Sequence, residues 1–99
     1  MPTPLTITTG RRPDDTAVLK AVGEIDMTNA DTLASHLGKT SGRLVVDLTD
    51  VEYLDSAGLS VLFAHADRIE LIAGPLLLPV LTVSGLADLM TIHSADTDH

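Results

Sequence analysis

The 99-residue sequence predicts one α/β domain, with a mixed, mostly parallel sheet of four or five strands and about three helices mainly on one face. Two observations predict this class. Short apolar runs of strand length alternate along the chain with segments whose apolar residues recur at helical spacing. Apolar residues make up 44% of the chain, enough for a single modest core. We therefore expect one domain over residues 1–99, with a core from about 4 to 92 and a flexible tail from 94 to 99.

Two strands joined by a turn are predicted at the N-terminus. Leu5 and Ile7 alternate with threonines, which is typical of an edge strand with one face in the core. A turn over residues 10–15 leads to a second strand over 17–22, which is apolar apart from Lys20. We expect this second strand to be more central and to form an antiparallel pair with the first.

A short helix is predicted between residues 28 and 38. Thr28 and Asp31 are spaced as in a capping box, although the acid is shorter than usual. Gly38 is expected to close the helix. Its apolar face is formed by Ala30, Leu33, Ala34 and Leu37.

The second half of the chain continues the alternation of strands and helices. Residues 44–48 are typical of a central strand covered on both faces, followed by a loop to Ser56 and a helix to about Asp67. A fourth strand is expected over residues 69–73.

A third helix is predicted over residues 75–83. Pro79 is compatible with a helix only near its start, so this element should be short or kinked. Burial in the whole domain should be deepest at Leu33, Val45, Val46, Leu48, Leu59 and Leu62.

Composition argues against several classes of function. The formal charge of -8 disfavours binding to nucleic-acid phosphates or to an anionic membrane surface. Tyr53 and Phe63 are the only aromatic residues, so no stacking platform for single-stranded nucleic acid is available and Leu, Val, Ile and Ala must pack the core. The chain has no cysteine, which fits a reducing cytoplasm. We expect no direct nucleic-acid partner.

Neither membrane insertion nor catalysis is predicted. The first residues lack the basic and apolar regions of a secretory signal, and the longest apolar run, 71–81, is interrupted by glycine and proline. We therefore expect a cytoplasmic protein. The four histidines lack metal-ligand spacing, Ser56 is not in a Gly-x-Ser-x-Gly elbow, and no phosphate-binding loop occurs. No catalytic residue, metal or cofactor is expected, and nucleotide binding at the sheet edge has little support.

Ser56 is the main candidate functional residue. It follows Asp55 and precedes Ala57 and Gly58, where the central strand should give way to a helix. A hydroxyl at the first helical position can carry a phosphate, because unpaired N–H groups and the helix dipole there favour negative charge. The alternative is that Ser56 simply caps the helix, since serine is a favoured N-cap residue.

Three further residues have two interpretations each. Asp26 should lie at the same sheet edge as Ser56, because loops after parallel strands gather at their carboxyl ends; it either contacts a partner or serves the turn and cap. Asp55 is expected to orient the turn through backbone hydrogen bonds rather than to act as a base. Gly58 either lets a partner approach the backbone or relieves crowding at the helix start.

The order of elements and three motifs resemble the STAS domain of bacterial anti-sigma factor antagonists, from near the N-terminus to about Ile92. Gly23-Glu24-Ile25-Asp26 is similar to the family's Gly-Glu-(Leu/Ile)-Asp at the end of its second strand. Asp55-Ser56-Ala57-Gly58-Leu59 resembles its Asp-Ser-(Ser/Thr/Ala)-Gly-Leu phosphoacceptor turn, and Ser84-Gly85-Leu86 resembles its (Ser/Thr)-Gly-Leu. The first two motifs stand 30 residues apart in the family's order, with a helix and a strand between them.

The resemblance implies a function by partner switching. In this family the unphosphorylated antagonist binds an anti-sigma factor that is also a serine kinase, and a sigma factor is released for transcription. The kinase then phosphorylates the serine matched here by Ser56, the complex dissociates, and a phosphatase resets it. The partner-binding residues implied are Asp26, Asp55, Ser56, Ala57, Gly58 and Leu59.

The chain departs from the family in the lengths of two intervals. The interval between Asp26 and the central strand is several residues shorter than usual, and so is the interval between the Ser56 helix and the strand at 69–73. Both helices should therefore be truncated. Both changes remove surface from helices that family members present to partners, which bears on the identity and strength of partner binding. A separate, alternative function is a STAS scaffold without a phosphate cycle, in a stress-signalling assembly or a lipid-transport complex.

Overall fold

One five-stranded sheet organises the computed structural model, which describes residues 4–95. Its strands are β1 (Thr6–Arg11), β2 (Ala17–Ile25), β3 (Leu44–Leu54), β4 (Ile69–Ala73) and β5 (Ile92–Ser94). The helices are α1 (Ala30–Gly38), α2 (Ser56–Ala64) and α3 (Leu78–Val83), followed by a 3₁₀ turn over Leu86–Asp88. The strand order follows the chain, β1 pairs antiparallel with β2, and each later pair is parallel. The predicted mixed, mostly parallel sheet is confirmed.

Three parallel connections carry the helices across the sheet. α1 joins β2 to β3, α2 joins β3 to β4, and α3 joins β4 to β5, so each connection moves to the next strand in the same direction. Such crossovers are right-handed, which places the helices on the same face. The buried residues of the core between helices and sheet are leucine, isoleucine, valine and alanine, as the composition predicted.

The predicted burial is confirmed at every position except one. Leu59 is half-buried and packs at the margin of the core, so its predicted deep burial is wrong. The buried residues of α2 are Gly58 and Leu62, which face the sheet in its place. The residues confirmed as buried are Leu33, Val45, Val46, Leu48 and Leu62.

β3 is longer than its sequence pattern indicates. The pattern predicts a strand that ends at Leu48 and a loop to Ser56, whereas the strand continues to Leu54. Residues 49–53 are mostly polar and lack the pattern of a buried strand, but they pair with the second half of β2. Two register shifts fit the longer β3 to the shorter β2, and as a result the two strands end level, at Leu54 and Ile25.

The start of α1 differs from the predicted capping box. The N-cap is Asn29, whose side chain makes no capping hydrogen bond. The Thr28 hydroxyl donates to Asp26 Oδ1 at 2.5 Å, and Asn29 Oδ1 accepts the N–H of Asp26 at 3.0 Å. The predicted box is therefore wrong, because both polar side chains are used in the turn before the helix. The predicted end at Gly38 is confirmed.

Arg68 holds the short connection after α2. This helix ends at Ala64, before the expected Asp67. Like α1, it contains nine residues. The Arg68 guanidinium donates to the carbonyl oxygens of Leu37, in the last turn of α1, and Gly42. One arginine thus links the connection after α2 to the last turn of α1 and to the loop that follows it.

The C-terminal elements confirm one boundary and correct another. α3 is short, ends at Val83 and has Pro79 in its first turn, as expected, but it begins at Leu78 rather than at residue 75. The tail was expected from residue 94, but Ser94 lies in β5 and the Ala95 N–H donates to the Ala73 carbonyl oxygen at 2.9 Å. Pairing with β4 therefore orders residues 94 and 95, while residues 96–99 lie outside the described part of the chain.

The Glu70 carboxylate links β4 to β5 and to the start of β3 through two hydrogen bonds. Its carboxylate accepts from His93 Nε2 at 3.0 Å and from Arg43 Nη2 at 2.6 Å. The hydrogen bond from His93, followed by that from Arg43, lowers the pKa of Glu70. A charged carboxylate is therefore favoured at this junction of three strands.

Val46 tests the central position of β3. It is completely buried, whereas Val83 on α3 is 88% exposed. Val46→Ala should lower the free energy of unfolding by roughly 1–3 kcal/mol, because the core closes the resulting cavity only in part. Urea denaturation followed by circular dichroism measures this change. Val83→Ala is the matched control, with a change below about 0.5 kcal/mol. Equal denaturation midpoints for the two variants would contradict the prediction.

Candidate functional site

The ends of β2 and β3 bring two polar turns together. Both strands run in the same direction and end level, so the residues that follow them emerge at the same edge of the sheet. The Asp55 N–H donates to the carbonyl oxygen of Ile25 at 3.1 Å. Asp26 and Asp55 therefore begin adjacent loops, as the sequence predicted.

The Asp55 carboxylate joins these two loops. Oδ1 accepts the N–H of Ala57 at 2.9 Å and of Gly58 at 3.1 Å, which makes Asp55 the N-cap of α2. Oδ2 accepts the N–H of Met27 at 3.0 Å, from the loop that follows β2. The prediction that Asp55 orients the turn through backbone hydrogen bonds is confirmed, and both of its carboxylate oxygens are engaged.

Ser56 is the first residue of α2, and its side chain is exposed. The alternative that Ser56 caps the helix is wrong, because the adjacent Asp55 occupies the N-cap position. Within residues 4–95, the Ser56 hydroxyl makes no hydrogen bond, whereas the Ser60 hydroxyl donates to the Ser56 carbonyl oxygen at 2.9 Å. The Ser56 hydroxyl is therefore accessible and free for modification.

A phosphate on Ser56 would find fewer free donors than the sequence predicted. The first four N–H groups of a helix lack intrahelical partners, and here they belong to residues 55–58. The N–H of Asp55 is bonded to Ile25, and the Asp55 carboxylate accepts those of Ala57 and Gly58. The prediction of unpaired N–H donors is thus wrong for three of these four groups. Two of them bind the Asp55 carboxylate, and one binds the Ile25 carbonyl oxygen.

The Asp26 side chain closes its own turn. Oδ1 accepts the hydroxyl of Thr28 at 2.5 Å and its N–H at 2.9 Å, and these hydrogen bonds, the hydroxyl first, lower the pKa of Asp26. The Asp26 carbonyl oxygen accepts the N–H groups of Asn29 and Ala30. The turn interpretation of Asp26 is confirmed, whereas its contact with a partner stays a prediction.

Gly58 allows α2 to approach the ends of β2 and β3. It is buried, and a Cβ atom in its place would lie 2.5 Å from Leu54 Cδ1 and 2.8 Å from Ile25 Cγ2. The crowding interpretation is therefore confirmed, whereas close approach of a partner to this backbone stays a prediction. Its neighbours Ala57 and Leu59 are half-buried.

Two exposed side chains that the sequence analysis did not select flank the site. Met27 is 78% exposed and lies in the loop that Asp55 holds, and Tyr53 is 51% exposed near the end of β3. The sequence signal that could have identified both residues is a large side chain within a polar stretch. Neither stretch has the periodicity of a buried element, so these side chains had no core to enter.

Other site classes have little support in the described chain. No group of three or more His, Cys, Asp or Glu residues within 4–95 could hold a metal ion. In the same range, no helix combines the length and apolar character needed to span a bilayer. A cavity of about 890 Å³ opens at the opposite edge of the sheet, between the β1–β2 turn and the α1–β3 loop, away from Ser56.

Comparisons with known proteins agree with this geometry. The family model of the STAS domain matches residues 8–95. The crystal structure of an anti-sigma factor antagonist from Mycobacterium paratuberculosis has a TM-score of 0.83 at 28% identity, covering 94% of this chain and 88% of that one. The anti-sigma factor antagonist SpoIIAA in its unphosphorylated form has a TM-score of 0.69 at 17% identity, covering 92% and 90%, and shows the fold alone. No curated protein matches the sequence.

Asp55→Ala tests the bridge between the loops. The change should lower the free energy of unfolding by about 1–2 kcal/mol, because α2 loses its cap and the Met27 N–H loses its acceptor. Asp55→Asn, which keeps one side-chain oxygen, should fall between wild type and Asp55→Ala. Denaturation measures stability, and hydrogen exchange of the Met27 amide, which should accelerate, reports the bridge itself.

The exposed Asp67, in the turn that follows α2, supplies the control for this comparison. Asp67→Ala should change stability by less than about 0.5 kcal/mol and leave exchange at Met27 unchanged. If the Met27 amide of Asp55→Ala exchanged at the wild-type rate, the hydrogen bond from Met27 to Asp55 would not stabilise the loop.

Proposed function

Because this chain belongs to the STAS domain family, we propose that it is an anti-sigma factor antagonist that works by partner switching. Its unphosphorylated form binds an anti-sigma factor that is also a serine kinase, phosphorylation of Ser56 releases it, and a phosphatase resets Ser56. The likeness to the antagonist from Mycobacterium paratuberculosis supports this role. The protein acts in the bacterial cytoplasm on sigma-factor-dependent transcription, as a binding protein without catalysis of its own.

The observation that carries the proposal is that Asp55, and not Ser56, caps α2. A serine that caps a helix uses its hydroxyl oxygen to accept a backbone N–H, and modification of that oxygen disturbs the fold. The Ser56 hydroxyl has no such duty and is exposed. A phosphate can therefore be added and removed while the start of α2 remains capped.

Charge explains how a phosphate ends binding. The surroundings of Ser56 are already acidic, since Asp55 precedes it, Asp26 begins the adjacent loop, and the whole chain carries a formal charge of -8. A phosphoserine adds a charge of about -1.5 to -2 at neutral pH. Of the four helix-end N–H groups, two bind the Asp55 carboxylate and a third binds the Ile25 carbonyl oxygen, so an interface over this turn must desolvate the phosphate or separate. A thousandfold loss of affinity requires about 4 kcal/mol, which is within the cost of one buried, unpaired charge.

Residues around Ser56 divide into those that contact the partner and those that position the contact. Asp55 positions Ser56 through the cap and holds the neighbouring loop. Gly58 sets how closely α2 lies against the sheet. The residues proposed to contact the partner directly are Asp26, Met27, Ser56, Ala57 and Leu59.

Asp26→Asn separates partner contact from the turn. Asparagine keeps an oxygen that can accept from Thr28, so the free energy of unfolding should change by less than about 0.5 kcal/mol. Affinity for the cognate anti-sigma kinase should fall by about tenfold, because a charge facing the partner is lost. Titration calorimetry and thermal denaturation measure the two effects, with Asp67→Asn, in the turn that follows α2, as the control. A lower melting temperature with unchanged affinity would leave Asp26 its turn role alone.

Ser56 is predicted to be the residue that the kinase phosphorylates. Ser56→Ala should bind the kinase constitutively and resist phosphorylation. Ser56→Asp should bind weakly, although one carboxylate carries less charge than a phosphate. Incubation with kinase and ATP, followed by peptide mapping, locates the phosphate, and calorimetric titration measures affinity for each form.

Ser60→Ala is the matched control for Ser56→Ala, because Ser60 is one turn further along α2 and its hydroxyl is bonded to the helix backbone. It should be phosphorylated and released like wild type. Phosphate on another residue, or equal affinity for wild type, Ser56→Ala and the fully phosphorylated protein, would favour the scaffold function instead.

A further inference from the structure

The second half of β3 has a strand on one side only. β2 pairs with it as far as Leu54, whereas pairing with β4 stops where Leu48 meets Ala73. Among the described residues, no strand pairs with 49–54 on the β4 side. The Thr49 N–H is bonded to Asp47 Oδ1 at 2.9 Å, so residues 50–54 are the part of this edge whose backbone N–H and C=O groups can meet an added strand.

A groove follows this free edge. It is a cavity of about 320 Å³ between residues 49–52 and the loop that leaves β4. Gly74 brings the loop close to the strand, since a Cβ atom there would lie 3.1 Å from the Thr49 carbonyl oxygen. Leu76 and Val22 line the groove and are 69% and 37% exposed. The groove therefore combines a free strand edge with apolar walls that are open to solvent.

The rim of the groove is acidic. Asp50 and Glu52 both line it, and Lys20 forms an ion pair with Asp50 at 3.2 Å. Within residues 4–95, Glu52 forms no ion pair. One carboxylate is thus left uncompensated beside the free edge, in a chain whose formal charge is -8. An occupant of complementary charge is basic.

We propose that this groove binds an extended, basic segment of a partner protein, which adds to the free edge of β3 as a short strand. Successive side chains of a strand point to opposite faces. Val22 pairs with Asp50, and the exposed Asp50 and Glu52 flank the buried Val51, so Val22 and the two carboxylates lie on the same face of the sheet, where the basic side chains of an alternating segment can meet Glu52. Backbone pairing supplies the affinity, and the alternation supplies the selectivity.

This binding goes beyond the proposed phosphate switch. Neither the Ser56 hydroxyl nor the Asp26 turn lines the groove. The groove lies along the strand that leads to Asp55, so a partner seated on the phosphoacceptor turn has it within reach. Binding of an isolated segment should nevertheless be the same in wild type and in Ser56→Ala.

The probe for this proposal is a synthetic hexapeptide of alternating lysine and valine, titrated into the full-length protein and followed by NMR. We expect shifts at the backbone amides of residues 50–54 and at the methyl groups of Val22 and Leu76. Two control peptides have the same length. One carries glutamate in place of lysine, and the other carries N-methyl groups on alternate backbone amides, so that it cannot pair as a strand. Both should bind at least about tenfold more weakly.

Two variants test the walls and the rim separately. Leu76→Lys places a like charge in the groove and should weaken the lysine–valine peptide by at least about tenfold. Leu89→Lys is the matched control, because Leu89 is 57% exposed and does not line the groove. The affinity of this variant for the lysine–valine peptide should stay within about twofold of the wild-type value. Glu52→Lys should weaken the same peptide and strengthen the glutamate peptide, which tests the groove even if Leu76→Lys does not fold.

Several outcomes would overturn the proposal. Equal binding of the N-methylated peptide would exclude strand addition, and equal binding of the glutamate peptide would exclude an acidic rim. An unchanged affinity in both Leu76→Lys and Glu52→Lys, or no shift at about 1 mM peptide, would exclude the groove as the site. Self-association in sedimentation that Leu76→Lys abolishes would assign the groove to a second copy of this chain. A failure of phosphorylation at Ser56 would leave each of these measurements unchanged.

Discussion

The carboxylate of Asp55 is the interaction on which the candidate site depends. Its two oxygens accept three backbone N–H groups, two at the start of α2 and one from Met27 in the loop after β2. An aspartate at an N-cap commonly satisfies the helix alone. Here the second oxygen also fixes the neighbouring loop, so the position of Asp26 and the exposure of Ser56 follow from one side chain.

The bridge can form because β2 and β3 end level. β3 is longer, and the two register shifts in its pairing with β2 absorb the difference. Gly58 then lets the first turn of α2 settle against Ile25 and Leu54, where any larger residue would collide. The shortened connections at the opposite edge are held separately, by the guanidinium of Arg68 on the end of α1. The helices are thus short without disturbing the edge that carries Ser56.

The same cap has an electrostatic consequence. A helix start with free N–H groups would stabilise a phosphate within the domain and reduce its effect on a partner. The Asp55 carboxylate accepts two of these N–H groups and the Ile25 carbonyl oxygen accepts a third, so added charge at Ser56 meets negative charge and few free donors. Under the proposed function, the energetic cost of a phosphate at Ser56 would be borne by the partner interface rather than by the fold.

Local sequence patterns determined the fold class, the kind of each main element and the antiparallel first pair. They also determined the early position of Pro79 in α3 and the start of α2 near Ser56. These features are local because periodicity and helix signals act within a few residues. They also indicated the backbone role of Asp55. The tertiary structure decided that Asp55 rather than Ser56 caps α2, and that Thr28 binds Asp26 instead of capping α1. It also decided that residues 49–54 form a strand and that Leu59 stays half-exposed. In each case the deciding partner is remote in the chain or in the neighbouring turn: Met27 lies 28 residues from Asp55, and β2 supplies the pairing that the polar residues of β3 do not signal themselves. Contacts between segments therefore choose among alternatives that local propensity leaves nearly equal in energy.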